Sequence, residues 1–220
     1  MQGRAGVSGL TARRLVFDAG QLYLNIDLTA LETPLDEEYI MGFFGAGQAF
    51  HIGPRFVLDD VLEHAIALGA TRGGASFNPG RSLREIEADG SLGPIYGMRR
   101  RESIEPVITA TLLEISRANL AAAITGATDE ATLSGLRKIS GGPVVDESFI
   151  DNVALIATYS GSYKPIVLVV ENALVAEMSE VALEHQDEAA LQVTFAGHFD
   201  PGNPAQEPWI IYHPGQHWQY

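Results

Sequence analysis

The chain has 220 residues, no cysteine and a formal net charge of −14, from 14 basic and 28 acidic side chains. The lack of cysteine excludes disulfides, thiolate catalysis and Cys-ligated zinc, and the acidic balance argues against a protein that grips nucleic acid by its phosphates. Because no apolar run approaches the roughly 20 residues of a membrane helix and the first ten residues lack the apolar run of a secretory signal, we expect a soluble protein made in a cytoplasm.

The first predicted elements are a hairpin and a glycine-rich loop. Strands are predicted over residues 13–17 and 21–26, and in the second of them apolar and polar side chains alternate. Residues 29–53 contain glycines that disfavour a helix. An irregular loop that exposes aromatic side chains is unfavourable in water, so it either folds back on its own core or contacts another subunit. The candidates for a subunit contact are Phe43, Phe44 and Phe50.

A short helix and a charged strand are predicted next. The helix begins at Asp59 or Asp60 and runs to Leu68, because its apolar residues recur near the helical period. Residues 82–89 then alternate between charged and smaller or apolar side chains. This alternation predicts that one strand face carries Glu85, Glu87 and Asp89. Carboxylates at this spacing are more typical of a solvated face than of a glycosidase site.

Residues 72–126 as a whole predict two strands packed on one helix. The second strand covers 107–113 and would form a long hairpin with the strand at 82–89. The helix covers 117–125, with Ser116 as its N-cap. Arginine suits bidentate pairing with the carboxylates of a neighbouring subunit. A basic triplet of this kind lies between the strands, at Arg99, Arg100 and Arg101.

The rest of the chain predicts a polar excursion and further strands. Residues 127–148 are rich in glycine, serine and threonine and are expected to form a loop. Strands at 152–158 and 166–170 form a second hairpin, and a last strand covers 209–212. Apolar residues alternate with polar ones over 191–199, which is typical of a half-buried strand. The polar face of that strand presents Gln192 and Thr194.

These elements predict the fold class. About eight strands with one or two short helices indicate an α+β protein, mainly β, built as an antiparallel β-sandwich or barrel with one flanking short helix. We expect a single domain over residues 1–220, in which 29–68 and 128–148 are possible loop insertions.

Patterns of catalytic and metal-binding residues are weak. His213 and His217 are four residues apart, but a proline and a glycine between them argue against the helix of a zinc protease motif. His198 and Asp200 form a His-x-Asp pair of a kind that is frequent by chance. No nucleophile elbow, S-x-x-K motif or P-loop occurs. We therefore expect no enzymatic activity, no metal and no cofactor.

Five stretches of the chain share their pattern and order of elements with a known family. They are GATRGGASF (69–77), SLREIEADGSLGPIYGMRR (82–100), VITATLLEISRANLAAAITGA (107–127), NVALIATYSGSYKPIVLVVENAL (152–174) and DEAALQVTFAGHFDP…EPWIIY (187–212). Together they resemble the tail tube, or major tail, proteins of long-tailed bacteriophages. The segments 29–68 and 128–148 do not match the family pattern.

The resemblance implies a structural virion protein rather than an enzyme. Hexameric rings of the subunit would stack into the tail tube, and DNA would pass through the lumen without specific binding. The candidates for residues that face this lumen are Glu85, Glu87, Asp89, Gln192 and Thr194. The partners implied are further copies of the chain and the tape measure, tail terminator and tail tip proteins. The protein would be made in the host cytoplasm and located in the tail of the virion.

Two alternatives remain open at this point. One is a ring-forming tube protein of a contractile secretion or injection system, which would share the fold. The other is a small β-sandwich enzyme or binding module. Such an enzyme would be a small monodisperse oligomer with a concave polar pocket, whereas a tube protein would form rings or polymers of varying length.

Overall fold

The computed structural model describes residues 20–32, 61–87, 89, 92–132, 134–159, 165–182 and 189–213. These residues fold mainly into antiparallel β-sheet with two short α-helices, which confirms the predicted mainly-β class. The strands are β1 (Gln21–Leu24), β2 (Ile66–Ala67), β3 (Thr71–Asn78), β4 (Arg81–Glu85), β5 (Arg99–Ile104), β6 (Val107–Leu112), β7 (Ala127–Ala131), β8 (Arg137–Gly141), β9 (Ile150–Thr158), β10 (Pro165–Ala182), β11 (Ala190–Ala196) and β12 (Trp209–Tyr212). The helices are α1 (Leu28–Glu32) and α2 (Arg117–Ala123), and a 3-10 turn covers Asp146–Ser148. The predicted strand at 13–17 and the aromatic side chains of Phe43, Phe44 and Phe50 lie outside the described residues.

The long strand β10 of the main sheet pairs with different strands along its length. The strand order of the sheet is β2-β1-β9-β10-β11-β6-β3, and β12 also pairs with β10. Residues 165–173 of β10 pair with β9, whereas residues 174–182 pair with β11. Asn172 lies at the junction in the left-handed conformation, with φ of 47°, which asparagine tolerates better than most residues. Strand β10 therefore belongs to two halves of the sheet.

The covered half of the sheet consists of β1, β2, β9, β12 and the first part of β10. On β9, Val153 and Leu155 lie in the larger core cluster. Ala154 and Ile156 point to the opposite face and join a second cluster, to which α1 and residues 61–65 contribute. Because both faces are buried, β9 is a nearly continuous apolar run rather than an alternating one.

The open-faced half consists of β3, β6, β11 and the second part of β10. Its inner face contributes Ile108, Leu191 and Phe195 to the larger cluster, which α2 also joins. On the outer face Gln192 is exposed and Thr194 is half-buried. The predicted alternation is therefore confirmed over β11, but it ends at Ala196, and Phe199, which was predicted on the apolar face, is exposed.

Two buried asparagine amides tie separate elements together. The Asn152 amide accepts a hydrogen bond from the Ile26 backbone N–H (2.9 Å) and donates one to the Ile26 carbonyl (3.0 Å). The Asn119 amide donates to the carbonyls of Leu68 (2.8 Å) and Glu114 (2.7 Å). These side-chain amides form hydrogen bonds with backbone groups that lie outside the helices and strands and so lack a partner of regular secondary structure.

Helix α2 forms where the sequence predicts it. The Ser116 hydroxyl accepts a hydrogen bond from the Asn119 N–H at 3.1 Å, as expected of an N-cap. The helix ends at Ala123, two residues before the predicted end, because Ile124 is already extended. Gly126 then takes a φ of 66°, and a side chain there would collide with the Pro143 carbonyl.

The helix predicted from Asp59 or Asp60 to Leu68 is wrong at its C-terminal end. After Val61 the chain turns, and Ile66–Ala67 pairs with Tyr23 and Leu24 of β1. Residues 61 and 68 are both buried. Their spacing suits one face of a helix, but each residue packs against the sheet separately.

The long hairpin predicted from 82–89 and 107–113 is also wrong. Strand β4 pairs with β5, whereas β6 pairs with β3 and β11. The residues 72–126 thus contain four strands rather than two. Strands β4 and β5 form a separate two-stranded sheet, which we call the first ribbon (residues 81–104).

The predicted loop at 127–148 contains regular structure. Strands β7 and β8 pair as a second two-stranded sheet, which we call the second ribbon (residues 127–141). Its side chains are polar and mostly exposed. Because neither face of this ribbon is buried, no apolar alternation marks it in the sequence.

Candidate functional site

The outer face of the open-faced half carries a row of short polar side chains. The strand register aligns Ser76 of β3, Thr109 of β6, Thr194 of β11 and Glu177 of β10 across four neighbouring strands. The hydroxyl oxygens of Thr109 and Thr194 lie 3.2 Å apart and share a hydrogen bond. Such cross-strand pairs hold a sheet face together without burying it.

The same face includes one of the predicted polar pairs. Gln192 is exposed and lies opposite Thr111. Gln192 and Thr194 therefore point outward from β11, as predicted. A basic residue, Arg72, stands at the start of β3, beyond a bulge at Gly73 and Gly74. Small hydroxyl, amide and carboxylate groups thus dominate the described centre of the face.

The predicted acidic residues of the strand at 82–89 do not share one strand face. Strand β4 ends at Glu85, and Glu87 and Asp89 follow it in the connecting loop. Glu85 lies opposite Arg99 in the ribbon, and its carboxylate is 3.4 Å from the Arg99 guanidinium. This carboxylate therefore has a partner within its own chain.

The arginine triplet is divided between three kinds of contact. Arg99 pairs with Glu85, and Arg101 forms an ion pair with Glu207 at 2.7 Å. Arg100 donates to the Gly97 carbonyl at 2.7 Å and to the carbonyl of Arg99 at 3.1 Å. All three guanidiniums are exposed on β5, so they remain accessible although two have carboxylate partners in the same subunit.

A clamp at Glu207 fixes the base of the first ribbon. The Glu207 carboxylate accepts from Arg81 of β4 at 2.6 Å, from Arg101 of β5 at 2.7 Å and from the Trp209 indole N–H at 2.8 Å. The Arg81 guanidinium also lies 5.2 Å from the centre of the Trp209 ring. The hydrogen bond from Arg81 is the main cause that lowers the pKa of Glu207, and the bonds from Trp209 and Arg101 add to it. The sequence carries no motif for this clamp.

The connection at the far end of the first ribbon exposes large apolar side chains. Leu92 and Tyr96 are fully exposed, at 109% and 104% of their reference areas. Leu83, Ile86 and Ile95 are also exposed. We call the described residues between Ile86 and Met98 the ribbon tip. Several large exposed apolar side chains within one short segment suit a protein interaction site.

A concave groove lies between α2 and the segment that leads into β9. It has a volume of about 400 Å³. Its wall is formed mainly by apolar side chains and backbone, including Ala121, Ile124, Pro143, Val145, Ile150 and Val175. Glu147 lies at this groove, and Asp146 precedes it on the same 3-10 turn. We call this feature the α2 groove.

An ion network joins α2 to the second ribbon. The Asp129 carboxylate lies 2.8 Å from the Arg137 guanidinium and 3.0 Å from that of Arg117. The hydrogen bond from Arg137 is the main cause of a lowered pKa of Asp129, and the charge of Arg117 adds to it. The network connects one wall of the α2 groove to β7.

The histidine and carboxylate patterns of the sequence do not converge on a metal site in the described residues, where no group of three or more such side chains is placed to hold an ion. The His198 ring lies within hydrogen-bonding distance of the Asn172 carbonyl, 3.1 Å from Nδ1, and packs edge-on against Phe149. The Asp200 carboxylate accepts from the Gly202 N–H at 2.7 Å. His213 packs against the ring of Tyr159, and His217 lies outside the described residues.

None of the helices in the described ranges is long and apolar enough to span a bilayer. Comparison with models of known protein families and with curated protein sequences gives no match for this chain.

Proposed function

We propose that this protein is a structural subunit of a phage tail tube, which assembles into stacked hexameric rings through which DNA passes. The observation that carries the proposal is the outer face of the open-faced half. This face is polar and its side chains are exposed or half-buried, whereas the equivalent face of the covered half is buried. A sheet face of this kind suits the wall of a channel.

The packing of the two sheet halves supports a β-sandwich protomer. Side chains from the inner faces of both halves, such as Leu22 and Phe195, meet in one core cluster. Helix α2 flanks this cluster through Leu120 and Ala123. In a ring the open-faced half would line the lumen, and the covered half would lie further out.

The chemistry of the open face supports passage of DNA rather than binding. Phosphates are held by clustered lysine and arginine. The row across the four strands contains three hydroxyl groups and one carboxylate, that of Glu177. A carboxylate in the wall repels phosphates only weakly at physiological salt, because screening acts over about 8 Å. The polymer would therefore neither stick to the wall nor be strongly excluded from it.

The first ribbon supports self-assembly. It stands apart from the main sheet as its own two-stranded unit and exposes an apolar tip. Exposed apolar clusters are unfavourable on an isolated subunit unless another surface covers them. The edge strands β3 and β12 offer further backbone groups for pairing between subunits. We place the tape measure, terminator and tip proteins among the partners of the finished tube.

Electron microscopy of the purified chain in negative stain tests the proposal. We expect rings with a central hole, or tubes of varying length, at high protein concentration. A chain that remains monomeric at all concentrations and under molecular crowding contradicts the proposal.

A lumen variant tests the placement of the open face. Replacing Glu177 and Thr194 with lysine should leave tube assembly intact and slow DNA passage, more strongly at low salt. The matched control places lysine at Glu130 of β7, which is also exposed but lies on the second ribbon. Equal rates of DNA passage in both variants would place the open face outside the lumen.

A further inference from the structure

We propose that the ribbon tip of one copy binds in the α2 groove of a second copy of this chain. This inference rests on the proposed self-assembly and names the two surfaces that meet. Each subunit would carry both the ribbon tip and, at a different place, the groove that binds the ribbon tip of another copy.

The ribbon tip has the chemistry of an inserted projection. Leu92 and Tyr96 are fully exposed, so the tip is not seated in the groove of its own chain. Ile95 is also exposed beside them. Transfer of an apolar side chain of this size from water to an apolar surface is favourable, because it removes apolar area from water. An apolar receptor is therefore the surface that the tip favours.

The α2 groove has the chemistry and size of such a receptor. Its volume of about 400 Å³ exceeds that of one tyrosine side chain together with one leucine side chain. Its walls combine Ala121 and Ile124 from α2 with Val145 and Ile150 from the opposite side. Val145 is itself exposed, so the wall is accessible to a second molecule.

The charges beside the tip and beside the groove have opposite signs. Arg84 and Arg100 lie side by side on β4 and β5, next to the tip. Arg84 has no carboxylate partner among the described residues, and Arg100 contacts only backbone carbonyls of its own ribbon. Glu147 lines the groove and Asp146 precedes it on the same 3-10 turn, and neither forms an ion pair among the described residues. Docking would bring two arginines to two unpaired carboxylates.

The positions of the two surfaces favour an interface between copies. The first ribbon continues from β3, the outermost strand of the open-faced half, whereas Val175 of the groove lies on β10. Strands β3 and β10 are separated by three interstrand steps, or about 14 Å. A projection and a receptor formed by different residues of one subunit make a head-to-tail contact when they meet between two copies. Such a contact generates a closed ring or an open-ended stack.

Cysteine crosslinking tests the contact, because the chain has no cysteine of its own. We expect the double variant Leu92→Cys/Val145→Cys to form a ladder of disulfide-linked oligomers on a non-reducing gel. The control variant Leu92→Cys/Leu136→Cys places its second thiol on the turn of the second ribbon, where Leu136 is also exposed. The control should form at most dimers. All three positions are exposed, so the substitutions do not disturb the core.

A charge reversal provides a second, independent measurement. Arg84→Glu with Arg100→Glu should lower the assembled fraction at least tenfold, and adding Asp146→Lys with Glu147→Lys to the same chain should restore it. Tubes that form normally without a crosslink between positions 92 and 145 overturn this inference and leave the proposed function standing. If neither tubes nor crosslinks form, both proposals fail.

Discussion

The two halves of the main sheet differ in how many of their faces are covered. In the covered half, β9 buries Leu155 in one cluster and its neighbour Ile156 in the other. In the open-faced half, β11 buries Leu191, while its neighbour Gln192 is exposed. Both halves share the same hydrogen-bonded sheet and the long strand β10. Both halves contribute one face to the larger core cluster, but only the open-faced half also presents an uncovered face.

The uncovered face is the informative one. A sheet face can stay in contact with water without a free-energy penalty when its side chains are polar. The open face has polar side chains in register across four strands. The covered half needs α1 and residues 61–65 to shield its second apolar face. The function that we propose follows from this asymmetry, because a ring can present the open face to its channel at no cost to the core.

Alanine substitutions at neighbouring positions give the largest test of the comparison. In β9, Leu155→Ala and Ile156→Ala should each lower the free energy of unfolding by about 2–5 kcal/mol, because each removes a buried side chain. In β11, Leu191→Ala should have an effect of the same size, whereas Gln192→Ala should cost less than about 1 kcal/mol. Urea unfolding of the isolated subunit measures all four. A large loss at Gln192 would show that the open face is covered in the free subunit.

The buried amide of Asn152 anchors the covered half and gives the next largest effect. Asn152→Ala leaves the Ile26 N–H and carbonyl without their partner. Each unpaired buried group costs roughly 1–3 kcal/mol, so we expect a loss of about 2–4 kcal/mol. Asn203→Ala is the control, because the Asn203 side chain donates to Gln206 at the surface. Thermal unfolding that does not distinguish the two variants would contradict this account of Asn152.

The junction between the halves depends on the backbone of Asn172. Asn172→Val places a β-branched residue at φ of 47° and should cost about 1–2 kcal/mol more than Asn172→Gly. Both variants lose the hydrogen bond from the Asn172 amide to the His198 carbonyl, so their difference isolates the backbone effect. Denaturant midpoints measure this difference. Equal midpoints would mean that β10 can pair with both halves without the left-handed residue.

The Glu207 clamp predicts a smaller, pH-dependent effect confined to the first ribbon. The folded-state pKa of Glu207 is lowered from its ordinary value of 4.5. The clamp's contribution is therefore present above pH 4.5 and is lost as the pH falls through the folded-state pKa. Hydrogen exchange at the Glu105 amide, which bonds to the Gly80 carbonyl at the ribbon base, reports it after correction for intrinsic rates. We expect protection to fall below pH 4.5.

Two glutamine variants provide the controls for the clamp. Glu207→Gln should show reduced protection already at neutral pH and little further change on acidification. Glu102→Gln changes an exposed carboxylate on β5, next to Arg101 of the clamp, and should behave like the unaltered chain. If Glu207→Gln keeps full protection and the same pH dependence, Arg81 and Trp209 position the ribbon without the carboxylate.

Local sequence patterns correctly predicted a strand that buries one face and a helix that begins at a capping residue. The alternation at 191–195 identified the two faces of β11, and Ser116 marked the start of α2. The same alternation placed Gln192 and Thr194 on a polar face. The strand at 99–104 was missed because both its faces are largely exposed, so arginine at three successive positions carries no burial signal.

Other parts of the candidate site depend on contacts between distant residues. Ser76, Thr109 and Glu177 join Thr194 only through the register of four strands. Glu207 reaches Arg81 across 126 positions of the chain. The α2 groove likewise combines Leu24, Ile124 and Val175 from separate elements. No short-range pattern encodes such pairings.

The sequence by itself determined the mainly-β class, the inward and outward faces of β11 and the start of α2, because periodicity and capping act over a few neighbouring residues. The tertiary structure alone decided that β4 pairs with β5 rather than with β6. It also decided which sheet face remains open, because covering a face requires α1 and residues 61–65 to pack against strands that are distant in sequence. Several strands could pair with one another, and either sheet face could be covered by other elements, because these surfaces have similar compositions. Only the packing of all elements into one core decides which pairs form and which face is covered.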